Sequence, residues 1–406
     1  MRIMLFPTFS RPMTLVRALI ACTVLIGAGG EARAITRLDL LSPLEIGQSG
    51  WLTALISRFN TSQSDVAVHL VAGHDGEKAP IALREASDVP VPGSYQPIDR
   101  ILRGAGVSSK ALLPELASSV ADARGRLQAL PLGLSTTVLF YNKAAFRAAG
   151  LDPEVPPRTW MEVQQAADKL FDAGSRCPFS TTRPATAMIE QMSAWHGLPI
   201  FSRGRLVGIN GLLQVKHVAL MSSWYKSRFF ANFGRLDEAD ERFAQGECGL
   251  ITTESHMYPR FVAAGVDVGV APLPVHEDVR GAPKYTLVDG LALWVRSGLA
   301  KGELRALTRF LRFLMTPETQ VHLVRDGGFL PFSKAGIDAV LSRSLDKDLP
   351  QQHIALAQIK GGGGTMLARR PQLRQVVDEE LEAVWANRKP AKEALDTAAN
   401  RAQSGR

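Results

Sequence analysis

The chain has 406 residues, 46% of them hydrophobic and 21% charged, a balance that excludes both a disordered polymer and a membrane-spanning protein. That length exceeds one ordinary core and calls for two or more lobes. The formal net charge of +8 is spread along the chain, with no Lys/Arg cluster interleaved with aromatics, so no nucleic-acid partner is expected.

The first 34 residues read as a secretory signal peptide. Arg2, Arg11 and Arg17 make a basic start, residues 18–29 form an apolar run too short to cross a bilayer, and Ala32-Arg33-Ala34 meets the small-residue cleavage rule. Leu19-Ile20-Ala21-Cys22 also has the form of a lipobox, with Cys22 as a lipid-bearing N-terminus. Arg17 interrupts the apolar run just before it and the run continues past it, so lipid anchoring is the lesser reading. Four Arg and one Glu leave with the leader, a net loss of three charges that takes the mature chain to +5. A modest positive field would help capture an anionic solute. Export leaves Cys177 and Cys248 in an oxidising compartment, where one disulfide and two buried thiols are both open readings.

The mature chain opens with a strand at residues 35–41. Trp51, Leu52, Leu55, Ile56 and Phe59 then recur at helical spacing, and residues 66–71 form a second strand, the start of a parallel α/β sheet. From Gly73 to Pro97 the Gly and Pro punctuation predicts a long surface loop with at most one short helix around Ile81 to Ala86. Helical segments follow around 98–102 and 109–119. A Pro131-Leu132-Gly133-Leu134 turn then leads to three hydroxyls, Ser135, Thr136 and Thr137, exposed at the mouth of a buried Val138 to Tyr141 strand. Hydroxyls there suit a ligand cleft; an ordinary strand behind a polar loop is the plainer reading.

Beyond it, Thr159-Trp160-Met161-Glu162 is a capping box for a helix that runs to Gly174. A strand at 177–180, a helix from Pro184 to Ala194, helices at 217–224 and 239–243, and strands at 248–253, 266–271 and 290–295 follow. Leu304 to Leu314 is an amphipathic helix, Thr316-Pro317 starts the next, and Gly361 to Gly364 break the chain before two closing helices at 376–385 and 391–403. Trp160, Trp195, Trp224, Trp294 and Trp385 fall on apolar faces and are expected in the core.

Catalytic signatures are absent. The sequence holds no His-Glu-x-x-His, no Gly-x-Ser-x-Gly and no phosphate loop with Gly-Lys-Ser/Thr, and its eight histidines lack metal spacing. No catalytic residue, metal or cofactor is therefore expected. One local pattern favours an anion: Ser180-Thr181-Thr182-Arg183 lies where a strand gives way to the helix at Pro184, so hydroxyls, free backbone N–H groups and a guanidinium could converge. A solvated loop with a helix cap is the plainer reading. Thr252, Thr253, Glu254 and Ser255 repeat the pattern after the Cys248 strand.

Tyr141-Asn142-Lys143, residues 149–153 (Ala-Gly-Leu-Asp-Pro), residues 157–160 (Pro-Arg-Thr-Trp), residues 193–199 (Ser-Ala-Trp-His-Gly-Leu-Pro), residues 243–248 (Phe-Ala-Gln-Gly-Glu-Cys), Gly328-Phe329-Leu330-Pro331 and Pro371-Gln372-Leu373-Arg374 form an ordered set. On these residues the chain resembles the glycerol-3-phosphate-binding branch of the family 1 extracellular solute-binding proteins, the periplasmic receptors of ABC importers. The resemblance runs from about Leu130 to the C-terminus and is weak before it.

It implies an α/β, two-lobed periplasmic-binding-protein fold with a ligand cleft between the lobes and several hinge crossings, closing on its ligand by hinge motion. The expected domains are 1–34 as signal peptide, 35–141 plus 283–333 as the first lobe, and 142–282 plus 334–406 as the second. Carried over by position, the family's ligand residues fall on Ser135 and Gly290, both kept; on Glu254, with Ser255 beside it, in place of a serine; on Phe329 in place of a tyrosine; and on Met366 in place of an arginine, with Arg369 or Arg370 nearby. Two cleft tryptophans fall on Arg183 and Thr186. Tyr95 is the candidate for the first-lobe tyrosine. The candidate ligand set is Ser135, Thr136, Arg183, Glu254, Ser255, Gly290, Phe329 and Arg369.

The resemblance implies a monomeric periplasmic binding protein that delivers glycerol-3-phosphate, or a related glycerophosphodiester, polyol or sugar, to inner-membrane permease subunits. The alternatives are a divergent relative acting as a ligand sensor or interaction module and, more weakly, an exported hydrolase.

Overall fold

Strand and helix alternate from the start of the described chain, as the hydrophobic periods predict. The computed structural model describes residues 35–43, 50–72, 78–88, 90–122, 124–202, 205–343, 348–360 and 371–404. The leader with Cys22, the glycine run at 361, Met366, Arg369 and Arg370 lie outside them.

In chain order the first part is β1 (Thr36–Leu41), α1 (Gly50–Ser62), β2 (Val66–Val71), β3 (Ile81–Glu85), β4 (Tyr95–Gln96), α2 (Asp99–Gly104), α3 (Pro114–Ser119) and the 14-residue β5 (Ala129–Asn142). Next come α4 (Lys143–Ala148), α5 (Trp160–Asp172), β6 (Cys177–Thr181), a π-helix (Ala185–Gln191), α6 (Met192–Trp195), the small hairpin of β7 (Phe201–Ser202) and β8 (Arg205–Leu206), α7 (Leu212–Lys226) and β9 (Phe230–Ala231). Then follow α8 (Glu238–Ala244), β10 (Cys248–Glu254), α9 (Tyr258–Ala263), β11 (Val268–Ala271) and β12 (Val288–Arg296). Six helices close the described chain: α10 (Lys301–Leu314), α11 (Pro317–Gly327), α12 (Lys334–Ser342), α13 (Pro350–Ile359), α14 (Pro371–Trp385) and α15 (Ala391–Ser404).

β5 organises the molecule because its two halves belong to different sheets. Residues 129–136 pair with β12, which continues through β3 and β1 to β2, while residues 137–141 pair with β10, which continues through β6 to β9. β1 pairs in parallel with β2 and β3, and β6 with β10 and β9, whereas β5 runs antiparallel to β10, β11 and β12. Each sheet has its own core. Leu130, Leu132 and Leu134 pack with Leu38, Leu293, Phe310 and the buried stripe of α1. Leu139 and Tyr141 pack with Trp160, Phe179, Trp224 and Trp385, and the alternate residues Val138 and Phe140 face Phe243 and Phe261 on the other side. The strand passes from one core to the other across Ser135, Thr136 and Thr137.

The amphipathic periods translate directly into packing. α10 buries Leu307, Phe310, Leu311 and Leu314 against the first sheet, each worth roughly 2 kcal/mol by area transfer, and Thr316 caps α11 by accepting from the Thr319 amide. All five tryptophans expected in the core are buried.

Four expectations change. Ile81 to Glu85 is a strand inserted between β1 and β12, neither helix nor surface loop, because pairing on both edges outweighs the helix preference of Ala, Leu and Glu. Pro131 to Leu134 is no turn: it lies inside β5, opposite an irregularity between Leu291 and Ala292. The three hydroxyls are buried, not exposed: Ser135 and Thr136 are paired with β12 and Thr137 with β10. The helix expected from Pro184 opens as a π-helix and becomes α-helical only at Met192.

Candidate functional site

Strand period and register select the side chains that meet at the changeover of β5. Gly133, Ser135 and Thr137 share one face, and across the strand stand Leu291 opposite Gly133, Asp289 opposite Ser135 and Glu254 opposite Thr137. Glu254 bridges the two hydroxyls on this face: its carboxylate accepts from Ser135 Oγ at 2.5 Å and Thr137 Oγ1 at 3.0 Å. Ser135 Oγ also lies 3.1 Å from His256 Nδ1. The His256 ring stacks on Phe329 at 5.2 Å, and Phe329 meets Trp51 of α1 edge-on at 4.9 Å. Phe329 lies over Gly133, where an added Cβ would sit 3.3 Å from the ring.

Burial dominates the electrostatics here. It pushes the Glu254 carboxyl above its ordinary value against the Ser135 hydrogen bond, with Asp289 adding to the rise and Arg183 opposing it. Burial likewise lowers His256 to about 4, reinforced by the Arg183 charge, so the ring is neutral at pH 7. Arg183 adopts a left-handed backbone conformation (φ 44°) and holds Asp237 with two hydrogen bonds, Nε at 2.9 Å and Nη2 at 3.3 Å. Burial opposes its charge, but the Asp237 bond and the fields of Asp237, Glu254 and Asp289 raise its pKa.

Ser135, Glu254 and Phe329 of the sequence-derived set therefore stand together on one face, with Gly290 next to Asp289 behind them. Gly290 takes a positive φ of 130° and approaches the Gly133 carbonyl so closely that any Cβ would collide with it. Thr136 and Ser255 lie elsewhere. Strand alternation turns the Thr136 hydroxyl away, to donate to Leu287 O at 2.8 Å and meet Thr286 Oγ1 at 2.6 Å, while the buried Ser255 hydroxyl faces the Thr136 amide at 3.4 Å. Arg183 reaches the group through its field and spends its hydrogen bonds on Asp237. Arg369 lies outside the described residues. Tyr95 packs edge-on to Trp294 at 5.9 Å.

The expected anion site at Pro184 is filled from within. The Ala185 amide donates to Asp378 Oδ1 at 3.0 Å, Thr182 donates to Thr253, and burial raises Asp378 to about 6. Among the described residues no group of three His, Cys, Asp or Glu side chains is placed to hold a metal ion. Sequence reasoning assigned no place on this face to Trp51, His256, Asp289 and Arg374, and it named Thr137 among the cleft hydroxyls without carrying it into the candidate ligand set. Strand period alone puts Thr137 on the face of Ser135; Asp289 depends on a partner strand about 150 residues away.

Residues 60–344 match the family model described as bacterial extracellular solute-binding protein. Among curated relatives, the sn-glycerol-3-phosphate-binding periplasmic protein UgpB of Yersinia enterocolitica is 32% identical over 422 residues, covering 94% of this chain and 95% of its own. That of Salmonella typhimurium is 31% identical over 411 residues, covering 92% and 93%. Among solved structures, UgpB from Mycobacterium tuberculosis in complex with glycerophosphocholine superposes with a TM-score of 0.76 at 21% identity over 91% of this chain and 98% of that one. Maltose-bound T. maritima MalE3 gives 0.74 at 17% over 90% and 98%. The two-sheet architecture around β5 is thus that of known solute receptors, and the chain belongs to the bacterial extracellular solute-binding proteins.

Proposed function

We propose that this protein is the periplasmic receptor of an ABC importer, with glycerol-3-phosphate or a glycerophosphodiester as its solute and an uncharged polyol or sugar as the second choice. The observation that carries the reading is the end-to-end likeness to sn-glycerol-3-phosphate-binding periplasmic proteins, joined to a polar face at the one point where β5 passes between two cores. The role is binding rather than catalysis, and delivery is to inner-membrane permease subunits by a monomer. Residues 1–34 are removed on export, and no described helix is long and apolar enough to cross a membrane. N-terminal sequencing of the secreted protein tests the cleavage.

We assign the first lobe to 35–141 plus 283–333 and the second to 142–282 plus 334–406. The two cores support this division. α13 straddles it, since Ala355 and Ile359 pack in the first core while Ile354 packs beside Phe140.

Intrinsic fluorescence titration and thermal shift against glycerol-3-phosphate, glycerophosphocholine, ribitol and maltose test the ligand. Binding of a phosphorylated glycerol at micromolar concentration, about 8 kcal/mol, is expected; a response to maltose or ribitol alone overturns the phosphate reading. The closure of Glu254 onto Ser135 and Thr137 favours a second reading, a sensor relative that has exchanged solute contacts for internal ones. No response to any of the four compounds would favour it.

A further inference from the structure

Arg374 is the one described guanidinium near the β5 face whose hydrogen-bonding edge is unused. It stands in the first turns of α14 with a side chain 16% exposed, and its buried Nε and Nη2 have no hydrogen-bond partner. Its neighbours differ. Arg235 forms a two-pronged pair with Glu382 at 2.6 Å on both arms, Arg401 bonds Glu379 and Glu380, and Asp378 is taken by the Ala185 amide.

Nε and Nη2 are the two groups of the side-on fork with which arginine grips two oxygens of one phosphate or carboxylate. The acid beside that fork is Asp289, whose Oδ2 is 3.6 Å from Nη2, an ion pair without a hydrogen bond, while Oδ1 accepts from the Gly290 amide at 2.8 Å. Asp289 in turn stands opposite Ser135 in the register of β12 and β5, on the face that carries Glu254. A buried donor pair left unmet is costly and calls for a partner outside the protein's own bonds.

We infer that Arg374 is the anion-binding residue of the cleft and that Asp289 is the internal carboxylate the ligand's oxyanion displaces. This rests on the solute-receptor reading and deepens it: for the oxyanion ligand proposed there, it names the residue that takes two of its oxygens on parallel N–H groups and the carboxylate that yields its place. Arg183, committed to Asp237, contributes field alone. Asp289 and Glu254 set the threshold: only a ligand whose anion outcompetes Asp289 is held, so neutral sugars gain nothing from this fork.

The test uses the full mature chain with glycerol-3-phosphate, glycerophosphocholine, inorganic phosphate and maltose, read by fluorescence titration and thermal shift. Arg374→Met is expected to weaken binding of the phosphorylated probe about ten- to a hundredfold, the cost of a charge-assisted pair of hydrogen bonds. The ligand-free variant also leaves the Asp289 carboxylate without its cation, so affinity is compared at a temperature well below the melting point of both proteins. Arg374→Lys should keep part of the affinity. Asp289→Asn should tighten binding severalfold in the wild-type background and change nothing beside Arg374→Met, a coupling that a purely structural arginine would not produce. Affinity for phosphorylated probes within twofold of wild type in Arg374→Met, or no effect of Asp289→Asn, overturns the inference while the receptor reading stands. Wild-type binding of maltose with no response to any phosphate does the same. No response to any probe overturns both.

Discussion

Glu254 shows how one side chain sets the character of the polar face of β5. Its carboxylate joins hydroxyls of both halves of β5, Ser135 on the β12 side and Thr137 on the β10 side, so the polar face is closed by an internal acid. Gly328 makes the matching contact from the opposite segment. It sits at φ 72° with the His256 carbonyl where a Cβ would go, and it presents Phe329 to the His256 ring. Gly328→Ala combines left-handed backbone strain with that collision and should cost about 1–3 kcal/mol in urea unfolding, with weaker ligand binding in the same variant. Ser135, Glu254, Gly290 and Phe329 could be named from the resemblance because they sit beside distinctive motifs, and the structure gathers them at one stretch of β5. His256 and Asp289 were not, since their place on the face depends on pairing between distant strands.

At the scale of elements, the segments that pass between the cores are held by buried glutamine amides. Gln191 bonds both the amide and the carbonyl of Leu287 at the entry to β12, at 2.8 and 3.0 Å. Gln358 of α13 accepts from the Leu273 amide and donates to the Thr137 carbonyl, so one side chain ties the strap after β11 to β5. Gln352 bonds the carbonyls of Gly328 and Phe329. Gln358→Leu strands a buried donor and acceptor and should lower stability by about 2–5 kcal/mol in urea unfolding. The Cys177–Cys248 disulfide joins the neighbouring strands β6 and β10 across a sequence separation of 71 residues. By loop entropy its loss in the Cys177→Ser, Cys248→Ser double variant should cost about 2–4 kcal/mol, and dithiothreitol should lower the melting temperature of the wild type but not of the variant. Amphipathic helices such as α1, α5 and α10 were readable from period alone. Ile81 to Glu85 was not, because its neighbours β1 and β12 lie about 40 and 200 residues away in sequence.

Across the whole molecule, buried titratable groups define a pH window. His196 donates from Nδ1 to the Met192 carbonyl and accepts at Nε2 from the His276 amide, and His276 lies 3.1 Å from His217. Burial lowers all three, His276 to about 4 and His217 well below its ordinary value, and lowers His256 to about 4 as well. The unfolded chain therefore takes up these protons first, near pH 6.5, and their contribution to stability is lost as pH falls from there through about 4. Asp240 has the opposite sign. Burial raises it to about 8 against the Thr253 hydrogen bond, so its neutral form is favoured in the fold and stability falls as pH rises above its unfolded value toward 8. Thermal denaturation from pH 4 to 9 should show a maximum near neutrality. Asp240→Asn should raise stability at pH 9 by at least ~1.4 kcal/mol and much less at pH 4, and His276→Gln should flatten the acid limb.

Local spacing was enough for the helices, most strands, the core tryptophans and, through ordered motifs, the family, because each rests on residues within a few positions of one another. The packed chain alone decides that β5 serves two sheets, that Glu254 spends itself on Ser135 and Thr137, and that Arg374 faces Asp289 with its fork open. Those outcomes depend on contacts between segments about 85 to 165 residues apart, and a one-residue slip of β5, β10 or β12 would turn that strand's own side chains to the other face.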